Sequence, residues 1–191
     1  MIFSLRVIAM LAVCAASMFS QRAMPNPTPP RSVTEVFDRS VRGPEYALFA
    51  LAEKMPANHY GFVPTKGEFK GVRTFAQLAK HIAVDNYLNG AALLGEKSPV
   101  ERGLYENGSD SIRGKTEVMK FLRESFAYLH QAMATVNESN LMETVEFQRV
   151  KVPRLSIVTA AISHPWDIYG QMIEYARMNG IDPQKRPRII R

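Results

Sequence analysis

The chain has 191 residues, of which 46% are hydrophobic and 22% charged, with 24 Lys and Arg against 18 Asp and Glu for a formal net charge of +6. These proportions are close to globular averages, which excludes a disordered or fibrous chain, and the length suits one domain of ordinary size. A single cysteine excludes an internal disulfide and a Cys-rich zinc module.

The first six residues carry one positive charge, and Val7 to Ala16 form an apolar run of ten followed by small residues. This order of charged, apolar and small segments is that of a secretory signal, and the run is too short for an ordinary membrane span. Residues 1–23 are therefore expected to be a signal peptide with an ill-defined cleavage point, and the protein is expected to be exported, periplasmic or extracellular. Cys14 follows Leu11-Ala12-Val13, a weak lipobox with Val in place of a small residue, so lipid attachment is the secondary reading. Without the leader the mature chain holds no thiol. Residues 24–32 begin with four prolines in eight positions and read as an extended linker.

Four helical segments follow. Glu35 to Met55 has apolar residues at helical spacing, interrupted at Gly43-Pro44, and is expected to be one kinked helix or a short helix followed by a longer one. Thr74 is a candidate N-cap for a second helix ending near Leu94. In the third, about Thr116 to Val136, Met119, Leu122, Phe126, Leu129, Met133 and Val136 recur in strict 3-4-3-4-3 steps, the seam of a helix bundle. The fourth is expected over Leu155 to Asn179, with Gly180 just beyond it. The connections 57–72, 95–115 and 141–153 read as loops, with no convincing pair of strands. The expected architecture is an all-α four-helix bundle over residues 33–183, ahead of a basic tail at 184–191.

Six of the basic residues, Arg6, Arg22, Lys185, Arg186, Arg188 and Arg191, lie in the leader and tail, so the body carries 18 basic and 18 acidic residues. A balanced body without a basic, aromatic-interleaved stripe gives no reason to expect a nucleic-acid partner. The polar residues that call for a reason are on the inner faces. His81 and Asp85 align with Leu78 and Leu88 on helix two, and His164 follows Ile157 and Ala161 on helix four. Two imidazoles from different helices are candidate ligands for a divalent metal, with Asp85 or Asp167 as an added oxygen donor; the alternative is two half-buried histidines satisfied by hydrogen bonds. His59 and His130 receive no role. No nucleophile elbow, phosphate-binding or dinucleotide motif is present.

The stretches ALAEKMPANHYGFVPT, RTFAQLAKHIAVDNYLNGAALLGEK, ESFAYLHQAM and HPWDIYGQMIEYARMNGIDP, in that order, resemble the DinB-like (DinB/YfiT) family, in particular exported members, over roughly Val33 to Pro183. The resemblance implies a four-helix bundle, often dimeric, with a nickel or zinc site of three histidines. His81 matches the helix-two ligand and His164 the first of two ligands spaced four apart on helix four. The second would stand at 168, which is Ile168, and Pro165 beside His164 is expected to kink the helix. The resemblance implies metal-dependent, thiol-using transferase or isomerase chemistry, which suits a mature chain without a thiol poorly; a reduced site that binds metal is expected to activate water or a substrate heteroatom, as a metal-dependent hydrolase or transferase, and otherwise the same cleft would bind a small molecule or partner without metal and without catalysis.

Overall fold

A computed structural model describes residues 28–183. The leader with Cys14, the start of the proline-rich linker and the basic tail lie outside the described residues. Four helices make up the bundle: α1 Val33–Lys54, α2 Phe75–Leu94, α3 Gly114–Met133 and α4 Arg154–Met178. Neighbours around the bundle run α1, α3, α2, α4 and back to α1. Helices α2 and α4 are therefore adjacent and can share a site.

The helix starts follow from local chemistry. Ser32 caps α1 by accepting from the Glu35 N–H. Thr74 and Gln77 form a reciprocal capping box at α2, where each side chain accepts from the other residue's main-chain N–H. Helix α2 is buried on almost all sides, and even Lys80, His81, Asn86 and Asn89 on it are buried. It touches α3 closely at Gly90, where an added Cβ would lie 2.6 Å from Tyr128 Cε1. All six residues of the seam, Met119 through Val136, are buried as the spacing predicts, though α3 ends at Met133 and Val136 packs from just beyond it.

Neither proline breaks its helix. Helix α1 runs as one element through Gly43-Pro44, and Pro44 is buried. A Cβ on Gly43 would sit 3.3 Å from the Trp166 ring of α4, so the glycine serves helix approach. Helix α4 likewise continues through Pro165 to Met178.

The connection 141–153 departs from the expected loop. It contains an antiparallel hairpin, β1 Thr144–Phe147 paired with β2 Val150–Pro153, in register Val145 with Val152 and Phe147 with Val150. Gln148 and Arg149 form its two-residue turn with φ of 51° and 68°. That conformation matches a type I′ hairpin turn, which ordinarily carries Asn or Gly and so announces itself in sequence. Gln-Arg does not, and the strands are short, which is why the pair is invisible to pattern reading.

His130, given no role by sequence, ties α3 to α1. Its Nδ1 lies 2.6 Å from Asp38 Oδ1 and its Nε2 3.0 Å from Glu45 Oε2. Hydrogen bonding to Glu45 raises the imidazole pKa, burial opposes this, and the Asp38 contact adds to the rise. A raised folded-state pKa contributes stability that is complete below the unfolded value of about 6.5 and is lost as pH rises through the folded value. Thermal melts of the wild type should therefore fall by roughly 2–4 °C across that rise, for about 1 kcal/mol. His130→Gln should remove this component; an unchanged slope would rule out the clamp as its source.

Candidate metal centre

Helix α2 presents His81 and, one turn later, Asp85; α4 presents His164 opposite them. His81 is 5% exposed, and Asp85 and His164 are half-buried. Their ligand atoms all lie within 4.8 Å of one another. His81 Nε2 stands 3.0 Å from His164 Nε2, Asp85 Oδ2 lies 3.2 Å from His164 Nε2 and 3.6 Å from His81 Nε2, and the two rings meet edge to face at 88°.

The surroundings fix which atom the His81 ring offers. His81 Nδ1 is 3.3 Å from the main-chain oxygen of Glu106. A carbonyl can only accept, so Nδ1 carries the hydrogen and Nε2 presents its lone pair to the group, the support that metal-bound histidines ordinarily have. Burial lowers the His81 pKa against the pull of Asp85, whereas the hydrogen bond with Asp85 raises that of His164. The two imidazoles are thus pushed apart in proton affinity, and His164 as donor to Asp85 and His81 accounts for the close contact.

The same donor set is close to what a divalent ion needs, two of its three spacings matching and the Asp85–His81 spacing of 3.6 Å slightly wide. Two ligand atoms each about 2.1 Å from one ion stand roughly 3.0–3.4 Å apart for octahedral to tetrahedral angles. Two imidazole nitrogens and a carboxylate oxygen are also the donor types that zinc and nickel accept.

The structure brings together His81, Asp85 and His164 but not Asp167, which is exposed and accepts from Gln171 Nε2 at 3.4 Å. Ile168 is 1% exposed and belongs to the apolar core. The third place in the group is therefore held from α2, by Asp85, and not from the second α4 position.

The loop between α2 and α3 closes one side of the site, which its polar composition did not announce. Tyr105 and Glu106 both adopt left-handed backbone, with φ of 54° and 60°. Gly103 permits the turn: its φ is 67°, and an added Cβ would fall 2.2 Å from the Gly108 carbonyl oxygen. The Gly108 N–H closes the loop on Arg102 O at 2.8 Å. Residues in and just before α2 hold the loop in place. Arg73 donates to Asn107 Oδ1 and Tyr105 O, each at 2.8 Å, and Lys80 donates to Ser109 O at 2.8 Å. Non-glycine residues with positive φ persist where surrounding contacts over-determine them, commonly beside functional groups.

Residues 45–172 match the DinB superfamily, two thirds of the chain. The chain belongs to the DinB superfamily. Two solved DinB-like proteins share the fold of this superfamily member. One, from Bacillus cereus ATCC 10987, has a TM-score of 0.62 at 14% identity, covering 80% of this chain and 97% of the other. A second, from Bacillus subtilis, has a TM-score of 0.60 at 18% identity, covering 80% and 96%. No curated protein matches the chain. Among the described residues of this DinB-superfamily protein, no helix is long and apolar enough to cross a membrane.

Proposed function

We propose that this DinB-superfamily protein is an exported divalent-metal protein whose ion is held by His81, Asp85 and His164 and which acts on a small molecule at that ion as a hydrolase or transferase. The observation that carries this reading is the convergence of three ligand atoms from two helices within 4.8 Å. The leader run Val7 to Ala16 supports export.

Glu106 O keeps the His81 ring oriented with Nε2 inward. Asp85 supplies negative charge that offsets the ion's, and His164 offers Nε2 from the half-exposed side of the group. A nickel or zinc ion held there would supply Lewis acidity to a coordinated water or substrate heteroatom. Three protein ligands leave coordination positions for such a group, the pattern of catalytic and not structural sites.

The competing reading is a metal-free bundle binding a small molecule or partner in the same cleft. The 3.0 Å contact between the imidazoles favours it, because a shared proton already satisfies both nitrogens. Metal per chain decides. Purified without a histidine tag and supplied with nickel or zinc, the wild type should bind close to one equivalent and His81→Ala less than about a tenth. A wild type that itself stays below a tenth of an equivalent would leave the metal-free reading.

A further inference from the structure

Beside the metal group the loop and Arg73, just ahead of α2, line an open cleft of about 540 Å³ whose other walls are Arg102, Gly103, Tyr105 and Glu106. Its size is that of a small-molecule site. Glu106 joins the cleft to the metal group, since its main-chain oxygen holds His81 and its carboxylate Oε2 lies 4.0 Å from His81 Nδ1.

The two arginines of the cleft differ in exposure and in pairing. Arg102 is exposed and pairs with the Glu106 carboxylate. Arg73 is half-buried and, among the described residues, pairs with no carboxylate. Its Nε and one terminal nitrogen donate to neutral acceptors, Asn107 Oδ1 and Tyr105 O, and its own main-chain oxygen accepts from Tyr175 Oη of α4 at 3.1 Å. These contacts hold the guanidinium in place without neutralising it. A fixed guanidinium with donors to spare is the side chain best suited to a planar or tetrahedral oxyanion.

We propose that Arg73 is an oxyanion-binding residue of the cleft, so that the small molecule handled at the His81–Asp85–His164 group carries a carboxylate or phosphate. The placement rests on the metal reading for its purpose but not for its existence, since the cleft and the guanidinium are present without an ion.

The test is calorimetric titration of the metal-supplied and the metal-stripped protein with inorganic phosphate and, separately, with acetate, alongside bound metal per chain. Arg73→Gln should weaken the better of the two anions at least tenfold in the metal-stripped protein, where a change in metal affinity through the loop that supports His81 has no part in the readout. Arg102→Gln, which removes the same charge from the same cleft, should weaken it less than threefold. Circular dichroism checks folding; if the glutamine variant does not fold, Arg73→Lys, which keeps the charge but loses the fork, takes its place with the same tenfold expectation. A change below threefold at Arg73, or an equal loss from Arg102→Gln, overturns the proposal. Absence of metal in the wild type would sink the metal reading while leaving the anion comparison in the stripped protein intact. Which of the two anions binds more tightly assigns the group to a carboxylate or a phosphate.

Discussion

Asp85→Ala should lower the affinity for nickel or zinc by about a hundredfold, the upper end of what removing even a supporting partner from a metal site costs. Asp85→Asn should lose nearly as much, because it preserves shape and an oxygen but removes the charge that offsets the ion. The pairing of the two variants matters, since a loss confined to alanine would point to packing. Asp85 Oδ2 is 3.2 Å from His164 Nε2 and 3.6 Å from His81 Nε2, so no other carboxylate among the described residues joins both imidazoles in one candidate group. Asp167→Ala is the internal comparison: exposed and hydrogen-bonded to Gln171, it should change affinity little. Competition against a colorimetric chelator reads all three. An Asp85→Ala variant that binds as tightly as the wild type would remove the carboxylate from the ligand set.

The second large effect is expected at Ile168. Replacing this core residue with histidine removes apolar burial and places a polar ring where the wild type is dry, a cost of roughly 2–4 kcal/mol. The metal-stripped Ile168→His protein should melt roughly 5–15 °C below the wild type. Position 168 lies one helical turn after His164 and on its side of α4, so a fourth donor there should bind metal more tightly. Saturating nickel or zinc should then raise the variant's melting temperature by more than it raises the wild type's, because a ligand stabilises in proportion to the logarithm of its concentration over its dissociation constant. A variant destabilised equally with and without metal would show that residue 168 faces only the core.

Much of this fold is readable from residue order. Helix α2 begins at the Thr74 cap and ends at Leu94 as its periodicity predicts, and the Met119 to Val136 seam is buried along its whole length. Helical spacing carries that information because a 3.6-residue period commits one face to the core. His81 and His164 stand out for the same reason, as polar groups on apolar stripes. The choice between Asp85 and Asp167 is not readable in this way. Each is a turn or less from a histidine, and only the rotation of α2 against α4 decides which carboxylate enters. Glu106 was out of reach for a different reason: it acts through a main-chain oxygen, and its left-handed backbone depends on Gly103, Arg73 and Lys80 holding the loop. The β1–β2 hairpin escaped because Gln148-Arg149 adopts a turn whose usual residues it lacks.

The seam between α2 and α4 carries the ligand atoms, and the opposite seam, between α1 and α3, carries the His130 clamp. Sites that share no partner behave independently in free energy. The clamp and the candidate metal group therefore lie on different flanks of the bundle, and drift in sequence along the α1–α3 flank can retune robustness to heat or acidity while the α2–α4 flank keeps its geometry.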